Sequence, residues 1–492
     1  MSPEPSTQDG AGGFFRHARN YLLGGAFAGI VGFGAVSVLT RLLTQEEYGV
    51  LSVFLSVATI FSVLVELNLR GSVNRYYLEE SDDFPSFLKT ALRFLAGLTV
   101  FNLVALWLLR EPLADFFKVD AWVFYCGILA AIVQVPWNLN WKLMVAQMES
   151  AAYSRLRGLR DLLLFGAGAL WLISLPSAEV GDGGRQFGQI YAVLAVNGLF
   201  ALFLVVKLIR VAKPGRVNRP HLKYALAFGI PLVPHALSGV ILNEFDRVMI
   251  NQLVDERATG LYTFAYQVGG AMAMVVVAMN QAWLPIFARL RNREMFSRIH
   301  ALAVIYAQLL TAVAVLFVLF ARELAYIMGG ERFSEALSII PVIVLSYVAV
   351  FLYNIYANHT FYLRRTWLIS GATFIAGGVN VVLNYWLIPT EGYGIAAWTT
   401  LVSFGVLFAL HYAIARFWLG EKVTPVWPLL AWFAAAAALS WLVVSVEAEV
   451  NDAALALLVV KLPALIVLGF WARHSWRAVS AFEASVKVDA LP

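Results

Sequence analysis

The chain has 492 residues, of which 60% are hydrophobic and only 14% charged, with a mean hydropathy of +0.73 and a formal net charge of +5. A soluble domain clothes its surface with roughly 25% charged residues, so most of this surface faces something other than water, and no polar stretch is long enough to fold alone. The single cysteine, Cys126, excludes internal disulfides and any cysteine-based metal cluster. It lies in an apolar run and reads as a small buried hydrophobe.

Residues 1–13 are polar and Gly-rich without a cleavable signal pattern, so the first apolar helix is expected to stay as an anchor. Apolar runs of membrane-crossing length follow at 21–43, 48–69, 87–109, 122–145, 158–176 and 187–206. A second set falls at 222–253, 259–287, 297–320, 337–362, 367–388 and 393–414, and two more at 426–446 and 453–471. The pattern predicts an all-α polytopic membrane protein with about fourteen transmembrane helices. Open strands would leave backbone polar groups facing lipid, and outer-membrane barrels lack such long apolar runs.

Lysine and arginine set the orientation. With the N-terminus in the cytoplasm, most of the 36 Lys and Arg fall on cytoplasmic segments and helix ends. The outer loops are correspondingly acidic, as with Glu447, Glu449 and Asp452. Both termini are therefore expected in the cytoplasm and the protein in the inner membrane.

The chain also repeats itself. LLTQEEYGVLSVF, from Leu42, lies over LVDERATGLYTFA, from Leu253, so that Gly49 matches Gly260, 211 residues on. GQIYAVLAVNGLFALF, from Gly188, resembles GIAAWTTLVSFGVLFAL, from Gly394, at nearly the same offset. An even number of helices in each unit makes this a parallel repeat, related by an axis along the membrane normal, which is a transporter architecture. The predicted domains are an N-terminal six-helix bundle (1–206), a cytoplasmic linker (207–221) and a C-terminal six-helix bundle (222–415). Residues 416–492 add two transmembrane helices and a cytoplasmic tail. Pro214, Gly215 and Pro220 break the linker, and its cations read as a solvated positive-inside segment.

Chemistry is scarce. The seven His residues are scattered without metal-ligand spacing, and no P-loop or glycine fingerprint appears. A polytopic glycosyltransferase or polymerase would need a catalytic acid constellation and a substantial outer loop to hold it. The outer connections at 110–121, 177–186 and 321–336 are short, and Glu46 and Glu47 are adjacent rather than spaced as Asp-x-Asp. No enzyme activity, metal, cofactor or nucleic-acid partner is expected.

Several segments resemble one family. They include LTQEEYGVLSVF, RGSVNRYYLEE at the cytoplasmic end of the second helix, and FGIPLVPHALSGVILNEFDRVMINQL. GLYTFAYQVGGAM, QAWLPIFARL and NVVLNYWLIPTEGYGIAAWTT follow in order, together spanning about residues 14 to 420. The set is similar to the polysaccharide flippase (Wzx-like) branch of the MOP exporter superfamily, and the last two helices suit its fourteen-helix members. The resemblance implies alternating-access transport of a polyprenyl-diphosphate-linked oligosaccharide for cell-surface polysaccharide biosynthesis. It adds membrane lipids, a polysaccharide polymerase and glycosyltransferases as partners.

Charged side chains within membrane segments cost roughly 2.5–3.5 kcal/mol at the centre, so each is a candidate site. Arg70, Arg75 and Lys142, with Asn138, Asn140 and Trp141, stand near the cytoplasmic end of the first bundle. There, cations could receive a diphosphate, and amides and tryptophan could hold sugars; the alternative is ordinary positive-inside flanks. Arg41, Asp246 and Arg247 fall near the outer end, Asp246 about 36 Å along its helix from Leu222. As helix neighbours, Asp246 and Arg247 are not expected to pair with each other. His235 follows Pro231 and Pro234, which read as a flexible point for rocking. Asn354, Asn358 and His359 form a polar stripe at helical spacing. The rival reading is a cation-coupled small-molecule extruder of the same fold. Such extruders commonly use an acid deep in the first helix, and none stands between Tyr21 and Thr40. Glu66 is the only acid inside the first-bundle helices apart from Asp161 at a helix start.

Overall fold

The computed structural model describes residues 11–79, 83–174, 184–449 and 461–471, with Arg473 and Arg477, and among them it is helical with no strand. The chain runs α1 (Ala11–Leu42), α2 (Gln45–Glu66), α3 (Leu69–Glu79), α4 (Phe84–Leu108), α5 (Arg110–Phe117), α6 (Ala121–Ala146), α7 (Ser150–Ser174), α8 (Gln186–Ala212) and α9 (Arg219–Leu253). There follow α10 (Glu256–Gly269), α11 (Ala271–Asn292), α12 (Phe296–Leu319), α13 (Ala321–Gly329), α14 (Ile340–Tyr362), α15 (Thr366–Glu391), α16 (Ile395–Ala413), α17 (Val426–Glu449) and α18 (Leu462–Trp471).

Among the described residues eleven segments are long and apolar enough to cross a membrane, α10 and α11 counting as one. Of the expected spans, those at α1, α7 and α18 are not among the eleven. Apolar stretches in α1 and α18 are shorter, Phe27–Leu42 and Leu462–Trp471, and α7 carries Arg155, Arg157, Arg160 and Asp161 in its first half. Residues 453–460 of the last expected helix, most of the 177–186 loop, Asp452, the first ten residues and most of the tail lie outside the described residues, as does the side chain of Glu447.

Three connections are themselves helical. RGSVNRYYLEE lies largely in α3, the connection at 110–121 contains α5, and that at 321–336 contains α13 and the start of a 3-10 helix, Glu331–Ile339. The irregular part of the linker is confined to 213–218. It is tied to the start of α4 by Lys89 Nζ donating to the Gly215 carbonyl (2.8 Å) and Arg216 N donating to Ser86 Oγ (3.0 Å).

Packing divides the chain into two compact units, Met1–Gly260 and Leu261–Pro492. In the first, Thr44-x-x-Glu47 forms a reciprocal cap at the start of α2. Glu47 N donates to Thr44 Oγ1 (3.2 Å) and Thr44 N donates to the Glu47 carboxylate (2.9 Å), satisfying two amides that the helix leaves unpaired. The other Glu47 oxygen accepts from Arg185 N at the start of α8 (3.0 Å), so this acid holds two helix ends. Asp255 plays the matching part for α10, accepting from Ala258 N (2.6 Å).

The matched glycines have a physical reason. A Cβ on Gly49 would overlap the Glu256 carbonyl, and one on Gly260 would overlap the Gln45 carbonyl, so the two backbones meet where only hydrogen fits. Farther along, α2 ends in two successive left-handed residues, Leu67 (φ 47°) and Asn68 (φ 53°). Leucine there costs about 1–2 kcal/mol, and packing must hold it. Gly229 of α9 supplies that packing, since a Cβ would collide with the Leu67 carbonyl. α9 continues as one helix through Pro231 and Pro234.

Membrane-facing surface is legible on α8. Asn197, Phe200, Leu204 and Leu208 are buried, while Leu199, Leu202, Phe203, Val206 and Ile209 are exposed. One face is packed in protein and the other is apolar without cover, as lipid requires. Within the second unit, Gly269 packs on Ile343, Gly329 on the Phe264 ring, and Asn380, Asn384, Thr399 and Thr400 share buried hydrogen bonds between α15 and α16.

Candidate functional site

The break between α2 and α3 places charge inside the first unit. Glu66, the last residue of α2, is fully buried, and Arg70 on the first turn of α3 lies 3.1 Å from its carboxylate. α6 brings Asn138 and Lys142 beside them, both within electrostatic or hydrogen-bonding range of Glu66. Lys142 also sits over the Trp141 ring at 4.9 Å, and Trp141 stacks on Tyr153 of α7 at 6.0 Å. Asn138 and Asn140 are buried, and the Asn140 amide donates to Met144 Sδ (3.0 Å). Thus Arg70, Asn138 and Lys142, singled out from the sequence, gather around Glu66, with Trp141 beside Lys142.

Arg75 stands apart from that group. Exposed on α3, it donates to Glu79 (2.7 Å) and lies over the Phe228 ring at 4.9 Å. Tyr224 of α9 also donates to Glu79 (2.8 Å). The hydrogen bond to Glu79 raises the Arg75 pKa, and the bonds from Arg75 and Tyr224 lower that of Glu79.

At the other end of α9, Asp246 and Arg247 are both buried. Arg247 pairs with Glu244 (2.7 Å) and donates to the Asn243 carbonyl (3.0 Å), while Ser56 of α2 donates to the same Glu244 (3.4 Å). Glu244, which sequence reasoning passed over, is the carboxylate that Arg247 uses. Arg41 ends α1 and is exposed. His235 is half-buried on α9, its Nδ1 enclosed without a hydrogen bond.

In the second unit Asn354 is half-buried on α14, and Asn358 donates to Asn280 of α11 (3.2 Å). His359 leads to a cluster that the sequence did not signal. Its Nδ1 lies 3.0 Å from Glu421, in the connection after α16, and Glu421 takes a two-pronged grip from Arg291 of α11 (2.7 and 2.8 Å). Burial alone would raise the Glu421 pKa. Hydrogen bonds from His359 and Arg291, with the guanidinium charge, bring it down to about 2. Only a Glu, an Arg and a His far apart in sequence mark this triad, with no spacing to join them.

No group of three or more His, Cys, Asp or Glu among the described residues is placed to hold a metal ion. The first-unit cluster offers cations, amides and an indole at the end of a membrane helix, which can pair with an oxyanion and hydrogen-bond to hydroxyls.

A family model described as "Polysaccharide biosynthesis protein" matches residues 18–291, more than half of the chain. The chain belongs to that family. Among curated proteins, this family member is 24% identical to the Lsg locus protein 1 of Haemophilus influenzae, over 77% of the chain and 92% of the relative. It is 20% identical to a candidate O-antigen transporter of Salmonella typhi, over 82% of the chain and 92% of that protein. Its fold is that of MOP-type transporters. The solved lipid II flippase MurJ, in an inward closed conformation, matches with a TM-score of 0.70 at 11% identity, over 93% of the chain and 99% of MurJ. An inward-facing multidrug resistance MATE transporter of the MOP superfamily matches with 0.60 at 15% identity, over 80% of the chain and 96% of that structure.

Proposed function

We propose that this polysaccharide biosynthesis family member is a flippase. It moves a polyprenyl-diphosphate-linked oligosaccharide from the cytoplasmic to the outer leaflet of the inner membrane, by alternating access of its two repeated halves. The observation that carries the reading is the family match to residues 18–291, joined to a buried charge cluster at a helix end. The physical need is plain: a diphosphate and many hydroxyls lose their hydration in hydrocarbon, so the head requires a polar route while the tail stays in lipid. Arg70 and Lys142 are the proposed partners of the diphosphate, with Arg75 at the loading surface and Arg247 toward release. Asn138 and Trp141 are proposed to hold sugar, and Pro231 and Pro234 to serve as the flexible point. Arg41, His235, Asp246 and Asn354 complete the proposed path. The cargo lipid is the ligand; nothing in this reading calls for a catalytic step.

The similarity to a multidrug resistance transporter favours a second reading, a cation-coupled extruder. Deleting the gene in its own host separates the two. The flippase reading expects loss of surface glycan and accumulation of its lipid-linked precursor, with drug susceptibility unchanged. The extruder reading expects the reverse. Orientation is tested by impermeant thiol labelling in intact cells, since Cys126 is buried. A cysteine at Glu111 should react and one at Glu294 should not; the opposite pattern would invert the topology.

A further inference from the structure

Glu66 is an unusual carboxylate. Its side chain is 0% exposed, yet neither oxygen accepts a well-formed hydrogen bond. Buried carboxylates ordinarily fill their lone-pair positions with donors, because an ion removed from water is otherwise costly. Here the compensation comes from Arg70 at 3.1 Å, from the nearby Asn138 amide and from the charge of Lys142. The partners are joined through the left-handed residues Leu67 and Asn68, so regular helix geometry does not set their separation. Arg70 keeps 24% of its side chain exposed, so an incoming anion meets the cation and not the carboxylate. The pair is no part of the repeat, since 211 residues on the chain has Val277 and Gln281. A loose, one-sided, unrepeated ion pair is a poor structural staple and a good placeholder.

We propose that Glu66 is a built-in stand-in for the anionic group of the cargo. It holds Arg70 while the protein is empty and yields it when a phosphate or diphosphate arrives. The inference rests on the transport reading above. A diphosphate brings several acceptor oxygens to the planar guanidinium and displaces a carboxylate held to Arg70 by a single 3.1 Å contact. Glu66 keeps Lys142 and Asn138 beside it when this happens, and the charge-assisted bonds of Arg70 to the phosphate offset the loss of its nearest cation. On release Glu66 retakes Arg70, and the empty protein returns without an unpaired buried cation. Glu66 is thus a positioning residue that sets the affinity of the site.

The test measures binding of farnesyl diphosphate to the purified full-length protein, with farnesol as the uncharged control and phosphatidylglycerol as the bilayer-headgroup control. Glu66→Gln should bind farnesyl diphosphate about tenfold more tightly than the wild type, a change no merely structural role produces. Farnesol and phosphatidylglycerol should not change, and the double variant E66Q/R70Q should lose the gain. Wild-type-like or weaker binding by folded E66Q would overturn the stand-in role and leave the transport reading intact. An equal gain for phosphatidylglycerol would overturn the assignment to cargo. If neither protein prefers the diphosphate to the alcohol, both readings fall. Glu66→Asp keeps the charge but shortens its reach to Arg70, and should bind with an intermediate gain. Should E66Q not fold, E66D decides alone, and affinity at or below wild type overturns the proposal.

Discussion

Helix α2 and the α10–α11 segment occupy matched positions in the repeat and begin alike. Each opens on an oxygen-bearing cap, Thr44 or Asp255, and each carries a glycine where backbones touch, Gly49 or Gly260. They end differently. α2 stops at Glu66, turns through two left-handed residues and meets Arg70, whereas the matched positions in α11 are Val277, which is 54% exposed, and Gln281. The shared starts are what the fold requires of both halves, and the unshared charges mark where one half does something the other does not.

The largest expected effect comes from separating the charges. Arg70→Gln strands a buried carboxylate and should cost about 3 kcal/mol in the stability of the purified protein, while E66Q/R70Q recovers most of it. Val277→Ala, at the position matched to Glu66, should change stability by no more than about 0.5 kcal/mol. If R70Q proves as mild as V277A, the asymmetry has no energetic content. Next come the glycines. Ala at Gly49 or Gly260 should cost about 1–3 kcal/mol by forcing backbones apart. Ala at Gly97, with nothing within 4 Å of the added carbon, should be neutral or better. Thermal unfolding in detergent reads all of these.

Removing a cap should matter less, about 1 kcal/mol for Thr44→Ala or Asp255→Ala. The first should be the smaller, because the backbone N–H of residue 44 and Arg185 N still donate to the Glu47 carboxylate. The last effect is read from pH rather than from a single condition and concerns Glu421, whose pKa falls from an ordinary 4.5 to about 2. A carboxylate with a lowered folded-state pKa contributes its full stability above the ordinary value and loses it as pH falls through the lowered one. The wild type should therefore lose stability progressively between pH 4.5 and 2, and E421Q should lack that component of the acid slope. Parallel acid profiles for the two proteins would contradict the assignment.

Much of the fold was legible because membranes impose simple rules. Run length marked the helices, and the repeated Gly49 and Gly260 marked a contact that the structure explains. Glu46 and Glu47 read from the sequence as acids too close for catalysis, whereas the structure uses Glu47 with Thr44 as a capping box. α3, α5 and α13 passed as connections because they are short and half polar, too short for a periodic signal to separate them from loops. Within the candidate site, the cost of burying charge makes the cations legible, whereas Glu66 by itself signals only an acid placed outside the first helix. Its pairing depends on a left-handed turn through Leu67, a residue with no sequence preference for that conformation. Glu244 and the Arg291–His359–Glu421 triad join residues by tertiary packing, which no local pattern encodes.

The central claim is transport of a diphosphate-linked glycan through the Arg70 and Lys142 cluster, and reconstitution tests it most directly. Proteoliposomes holding the full-length protein and a fluorescent prenyl-diphosphate oligosaccharide, quenched from outside, report movement between leaflets. The account predicts protein-dependent translocation that falls at least about tenfold in R70Q/K142Q, with the variant folded as judged by its unfolding transition. Equal rates in empty liposomes, or an unimpaired R70Q/K142Q, would contradict it.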